Sequence, residues 1–72
     1  PNPFSSSLRV LSERMLTINI FDVSGRLIER KENIGGSVEI GQELAAGTYF
    51  IEVSSNGYRK VFHVVKASDA GH

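Results

Sequence analysis

Hydrophobic and polar residues alternate most clearly between residues 48 and 53, and this stretch predicts the central strand of the molecule. Tyr49, Ile51 and Val53 would lie on one face of that strand, with more polar neighbours on the other, because side chains along a strand alternate with a period of two. Gly47 comes just before, where a residue without a Cβ lets the chain turn sharply or lets another backbone come close. Tyr49 would then be the first inward side chain, with its ring in the core and its hydroxyl on a partner or at the surface.

A second stretch, residues 15–21, has the same alternation, with Leu16, Ile18 and Ile20 on one face. Half-buried antiparallel strands have this pattern. If both stretches face one core, six side chains should be among the least accessible in the molecule: Leu16, Ile18, Ile20, Tyr49, Ile51 and Val53.

Two short segments carry clear turn signals. Residues 22–26 read Asp-Val-Ser-Gly-Arg. Asp22 can accept hydrogen bonds from nearby backbone N–H groups while Gly25 takes a positive φ, so a hairpin is predicted here. The dipeptide Asn56-Gly57 is typical of a type I′ turn, since both residues tolerate positive φ.

The remaining strands are short and less regular. Residues 1–7 would be extended or turn-like because each proline fixes φ, and residues 33–36, which include two glycines, should break the chain. Residues 41–46 would cross to the central strand with at most one helical turn. The last strand, residues 58–66, has apolar residues on both faces, so the face that it buries stays open. The other strand candidates lie at residues 8–11, 27–31 and 37–40.

Six short strands, separated by turns at spacings of roughly eight to twelve residues and without a helical stretch, predict an all-β fold, a small antiparallel β-sandwich. We interpret the sequence as one such domain, residues 1–66, of a longer polypeptide, followed by a frayed tail of native or added sequence at residues 67–72. A chain of 72 residues buries only about 60% of the surface that it exposes when unfolded, so its stability should be modest.

Composition excludes several classes of partner. Eight basic and eight acidic side chains cancel, which removes the electrostatic footprint of a protein that binds nucleic acid or anionic lipid. No apolar run approaches the roughly 18 to 20 residues of a membrane span, so membrane insertion is not expected. The chain has no cysteine and therefore no disulfide framework and no thiolate metal site.

No residue pattern predicts an enzyme, a cofactor or a metal site. His63 and His72 are the two histidines, and no spacing brings further metal ligands to either. Asp22 could join Glu29 or Glu32 in a calcium site, but its place before the Ser-Gly of a turn already explains it. The serines lack a nucleophile elbow and the partners of a catalytic triad.

The last strand is mildly basic, because it carries Arg59, Lys60 and Lys66. Two interpretations are open: a solvated edge whose lysines discourage aggregation, or a recognition surface. Composition alone favours the solvated edge, since edge lysines are a common protective device.

Four stretches match, in order, the motifs of a known family. The chain opens with Pro1-Asn2-Pro3, residues 18–27 contain the Asp-x-x-Gly-Arg hairpin, residues 44–51 read Leu-Ala-Ala-Gly-Thr-Tyr-Phe-Ile, and the final strand is punctuated by lysines. With these motifs the chain resembles the type A C-terminal sorting domains of the type IX secretion system of Bacteroidetes. It departs from the family pattern at Ala45, where a proline is usual, and in the six residues that follow Lys66.

The resemblance implies a non-enzymatic sorting-signal domain that folds as an immunoglobulin-like sandwich, usually of seven strands. Such a domain follows a cargo domain in the same polypeptide and is recognised by the outer-membrane translocon after export to the periplasm. A sortase-like surface peptidase then commonly removes it, and the cargo becomes secreted or bound to the cell surface. The family motifs contain the structural residues Asp22, Gly25, Arg26, Gly47 and Tyr49, and the turn pattern adds Asn56 and Gly57. The candidate recognition residues are Lys60, Lys66, Arg59, Pro1, Asn2 and Pro3.

Two alternatives from other classes remain. One is an accessory carbohydrate-binding module of a secreted enzyme, although the chain has no tryptophan and only six aromatic residues. The other is a structural spacer or adhesin domain of immunoglobulin type, whose deletion would leave the rest of the protein still secreted.

Overall fold

The structure of this chain is a computed structural model that describes residues 2–4 and 7–67, and these residues form five β-strands and no helix. One sheet contains all five strands in the order β1-β5-β4-β2-β3. Neighbouring strands run antiparallel, except that β1 pairs parallel with β5. The strands are β1 (Asn2–Phe4), β2 (Leu8–Asp22), β3 (Leu27–Ile40), β4 (Gly47–Ser55) and β5 (Tyr58–Lys66).

The β2–β3 hairpin is longer than the sequence predicted. The candidates at 8–11 and 15–21 both belong to β2, and those at 27–31 and 37–40 both belong to β3. The expected break at residues 33–36 is wrong, because β2 supplies backbone partners on both sides of it. The glycines instead lie at an irregularity, where the pair Ser12–Gly36 is followed by Leu16–Ile34, so that three residues of β2 stand opposite one residue of β3.

Beyond this irregularity, residues 8–12 of β2 and residues 36–40 of β3 form the outer half of the hairpin. This outer half covers one face of the sheet. Leu8, Val10 and Val38 belong to the outer half, and all three pack against the core. The predicted class is confirmed: the described chain is all-β and consistent with a small antiparallel, immunoglobulin-like sandwich. The described residues form five strands instead of six or seven: two pairs of the six predicted strands are continuous, which leaves four, and the extended start of the chain adds β1.

The core lies between the sheet and this outer half. Five of the six side chains predicted to be least accessible are buried, and Val53 is half-buried against them. Leu44 joins the core from the segment between β3 and β4, and Val64 shows which face of β5 is buried. The buried apolar side chains are Leu16, Ile18, Ile20, Ile40, Leu44, Tyr49, Ile51 and Val64.

Both predicted turns are confirmed. Asp22 Oδ1 accepts hydrogen bonds from the backbone N–H groups of Ser24 and Arg26, each at 3.0 Å, while Gly25 has a φ of 91°. Asn56 and Gly57 have φ values of 44° and 82°, which are the two positive angles that a type I′ turn requires.

Candidate functional site

The outer edge of β5 is partly open. β1 covers only its end, with Asn2 opposite Val64 and Phe4 opposite Lys66. Within residues 2–4 and 7–67, nothing pairs with the outer edge of residues 58–63. This stretch therefore exposes unpaired backbone N–H and C=O groups, which are a template for another strand.

The candidate recognition residues at the start of the chain lie beside the covered part of this edge. Asn2 and Pro3 belong to β1, whereas Pro1 lies outside the described residues. β1 is an edge strand, and such a strand tolerates proline because one side of its backbone needs no partner in the sheet.

Arg59 and Lys60 lie on the open stretch and point to opposite faces of the sheet, because they are neighbours in one strand. Arg59 lies opposite Ser54, and Lys60 lies opposite Val53. The guanidinium of Arg59 donates a hydrogen bond to the carboxylate of Glu52, and the two groups form an ion pair. The ammonium of Lys60 lies 5.3 Å from the ring centroid of Phe62, within the range of a cation–π contact.

Lys66, the third cation of the strand, is inside the molecule. Only 7% of its surface is exposed, and its Nζ donates hydrogen bonds to the carbonyl oxygens of Gly41 at 2.6 Å and Gln42 at 3.1 Å. The expectation that Lys66 is an exposed charge is therefore wrong. The register explains this position, since Lys66 follows the buried Val64 by two residues and shares its face.

The segment before β4 is held by further polar contacts. Besides the two bonds from Lys66, the hydroxyl of Tyr49 donates to the carbonyl oxygen of Ala45 at 2.7 Å, and Leu44 N–H donates to the carbonyl oxygen of Gly41 at 3.3 Å. Tyr49 thus has its ring in the core and its hydroxyl on a backbone partner, as predicted. The Leu-Ala-Ala-Gly-Thr-Tyr stretch is consequently a corner that fixes how the chain enters β4.

A polar group on the sheet face away from the core was not predicted. Asn19 keeps only 9% of its surface exposed, and its Nδ2 donates to Glu52 Oε1 at 3.0 Å. The hydrogen bond from Arg59, followed by the one from Asn19, lowers the pKa of Glu52 below its usual value of 4.5. Asn19 lies on the polar side of a clear alternation, so the pattern gave no sign that it would be buried.

An apolar groove of about 320 Å³ lies between the outer half of the β2–β3 hairpin and the end of the sheet near β5. Arg9 is the charged residue of its lining. Phe62 lines the groove and keeps 39% of its surface exposed, and Leu11 keeps 72%. The apolar lining includes Val10, Leu11, Ile51, Val53, Phe62 and Val64.

The described residues contain no group of three or more His, Asp or Glu side chains that could hold a metal ion. His63 stacks on Phe50 with ring centroids 5.1 Å apart. Asp22 directs its carboxylate to its own turn and to the guanidinium of Arg26, whose Nε lies 3.4 Å from Oδ2. No helix long and apolar enough to cross a membrane occurs in this part of the chain.

Comparison with known proteins gives one result. The family model described as a secretion system C-terminal sorting domain matches residues 1–67. No curated protein and no solved structure matches the chain.

Proposed function

Since the chain belongs to the family of secretion system C-terminal sorting domains, we propose that it is the part of a secreted protein that the type IX outer-membrane translocon recognises. The family is one of sorting signals and not of enzymes, and it implies a cargo polypeptide that is secreted or bound to the cell surface. The proposal adds transit through the periplasm, direct contact with the translocon, and later removal by a sortase-like surface peptidase.

The family match over residues 1–67 carries this proposal. The match spans all five strands, which supports a folded domain, and not a short linear peptide, as the proposed signal. Three of the motifs shared with the family have structural roles here. Asp22 organises the hairpin, Tyr49 holds the entry to β4, and Lys66 anchors the final strand. Recognition then falls to exposed groups, and we assign it to Arg59, Lys60 and the end that contains Pro1, Asn2 and Pro3.

A fusion protein tests the proposal. The domain is placed after a fluorescent protein that carries an ordinary export signal, in a bacterium that has the type IX system. We expect fluorescence outside the outer membrane or on the cell surface. Retention in the periplasm, with the domain intact and folded, would contradict the assignment.

A matched control uses the same fusion with Ile18→Asp. Ile18 is 1% exposed, and an unpaired carboxylate in the core is strongly destabilising. This fusion should stay in the periplasm because the signal is unfolded. Its export at the normal level would show that the fold is not what the translocon reads.

The geometry does not favour carbohydrate binding. Phe50 and Phe62 are exposed aromatic residues, but Phe50 lies opposite His63 and Phe62 lies opposite Ile51. Positions 50 and 51 point to opposite faces of β4, so these two rings do not form one platform for a sugar. The exposed ring of Tyr58 shares the face of Phe62 but lies four residues away along β5, about 13 Å.

A further inference from the structure

The open edge of β5 and the apolar groove are adjacent. Phe62 and Val64 belong to β5 and also line the groove. A strand that paired with residues 58–63 would alternate its side chains between the two faces of the sheet. Every second side chain would therefore lie on the groove side of the sheet, and one of them would stand at the mouth of the groove next to Phe62.

The same edge already accepts a strand within the molecule. β1 pairs with residues 64–66 of β5 in parallel orientation. β1 begins at Asn2, opposite Val64, so an added strand over residues 58–63 would lie along the part of the same edge that β1 leaves open. Backbone hydrogen bonds then supply affinity, and pockets for alternate side chains supply specificity.

The charges on this edge favour an acidic partner. Arg9 pairs with Glu39 and Arg59 with Glu52. Lys60 has no carboxylate partner among the described residues, and it lies on the groove side above Phe62. On an added strand, an acidic side chain beside Lys60 would stand two residues away from the side chain beside Phe62.

We propose that the β5 edge and the groove together bind an extended segment of a partner protein, in which apolar side chains alternate with polar ones and an acidic residue lies near Lys60. This inference rests on the proposed function, in which the partner belongs to the export machinery. It specifies the chemistry of the contact: strand addition with apolar anchors.

Two peptides serve as the probe. Both alternate valine with threonine and carry one glutamate in a valine position, at the N-terminal end in one peptide and at the C-terminal end in the other. Titration into the ¹⁵N-labelled domain should shift the amide resonances of residues 59–63 saturably for at least one peptide. Absence of saturable shifts for both peptides would overturn the proposal.

Variants identify the contact. Phe62→Ala should weaken peptide binding about tenfold through lost apolar contact, and Lys60→Ala should weaken binding of the glutamate peptide but not of a peptide with glutamine in its place. Val61→Ala is the matched control, because Val61 is 48% exposed and points to the opposite face. Equal binding by Phe62→Ala and the parent would overturn the groove as the anchor.

Two further measurements separate strand addition from side-chain docking and from self-association. Peptides N-methylated at alternate residues should lose binding in one of the two methylation patterns, since strand addition needs backbone N–H groups; binding by both would overturn strand addition. Sedimentation of the free domain should show a monomer. A dimer that dissociates in the Lys60→Glu variant would show that a second copy of the chain occupies the edge, and this would overturn the proposal.

Export separates this inference from the proposed function. Normal export by a domain that binds no peptide would reject this inference and leave the sorting function intact.

Discussion

At the scale of single residues, Lys66 connects the end of the domain to its interior. Its ammonium donates to the carbonyl oxygens of Gly41 and Gln42, and the side chain is almost fully shielded from water. A buried polar group that loses its partner costs free energy, and more so when the group is charged. The lysine near the end of the sorting signal is therefore a structural residue in this chain.

We expect Lys66→Glu to destabilise the domain by about 2 kcal/mol or more, because a carboxylate would face carbonyl oxygens and could accept no bond from them. Thermal or urea unfolding measures the change. Lys60→Glu is the control, since Lys60 is exposed and exposed charges contribute little. Equal melting of the two variants would contradict the structural role of Lys66.

The turn carboxylate predicts a pH effect. The Ser24 hydroxyl, and next the Arg26 backbone N–H, lower the pKa of Asp22 below its usual value of 3.8. A carboxyl group whose folded pKa is depressed contributes stability above its unfolded pKa and loses this contribution as the pH falls through the folded value.

The free energy of unfolding should therefore decline as the pH is lowered from about 4, and Asp22→Asn should show a shallower decline, since asparagine keeps an acceptor oxygen without the charge. Urea unfolding at several pH values checks this. Because the pKa of Glu52 is also lowered, a residual slope should remain in Asp22→Asn. An identical slope in the parent and the variant would remove Asp22 from the pH dependence.

At the scale of elements, the hairpins set the register of the sheet. The β4–β5 turn needs positive φ at two consecutive residues, and the β2–β3 turn needs it at Gly25. A one-residue slip would turn every side chain of a strand to the other face. The turns consequently decide that Ile51 and Val64, and not their neighbours, enter the core.

Gly57→Val tests the turn. We expect a loss of about 1 kcal/mol or more, because a β-branched residue is poorly suited to the φ of 82° at this position. A Cβ here would have no atom within 4 Å, so the loss would come from the backbone and not from a clash. Asn56→Gly should melt close to the parent, and a similar melt for Gly57→Val would show that the turn does not limit stability.

Gly47 is needed for its backbone angle and not for lack of space. A Cβ at this position would lie 3.8 Å from the nearest atoms of Tyr49, which is ordinary van der Waals contact. The φ of Gly47 is 157°, a conformation that residues with a side chain rarely adopt. Of the two alternatives for this glycine, the structure therefore favours the sharp entry into β4 over the close approach of another backbone, since the nearest atoms belong to the Tyr49 side chain.

At the scale of the whole molecule, the proposed function places folding and recognition in different parts of the same strand. β5 contributes Val64 and Lys66 to the interior, while its open stretch presents Arg59 and Lys60. Under the proposed function, such a signal would be readable only when it is folded, since the proposed recognition residues are positioned by a strand that the core holds.

We expect Lys60→Glu to reduce export of the fluorescent fusion while the melting temperature stays nearly unchanged, and Lys66→Glu to reduce both. Fractionation of cells and thermal melting of the purified domains, carried out in parallel, separate the two effects. Normal export of Lys60→Glu would move recognition away from this cation, and the Pro1-Asn2-Pro3 end would become the next candidate.

The sequence by itself determined the all-β class, the two turns and most of the core. These features are local: a period of two names the faces of β2 and β4, and Asp-x-x-Gly and Asn-Gly specify backbone angles within a few residues. The motifs also pointed to the sorting family, which the match over residues 1–67 confirms.

Only the tertiary structure decided the features that depend on distant partners. The two-glycine stretch stays within β3 because β2 pairs with both sides of it. Lys66 is buried because carbonyl groups 24 and 25 residues away accept hydrogen bonds from its ammonium, and Asn19 is buried beside Glu52. A local pattern records which side chains share a face. It does not record which chain segment covers that face, and this covering determines whether a charge is a surface group or part of the interior.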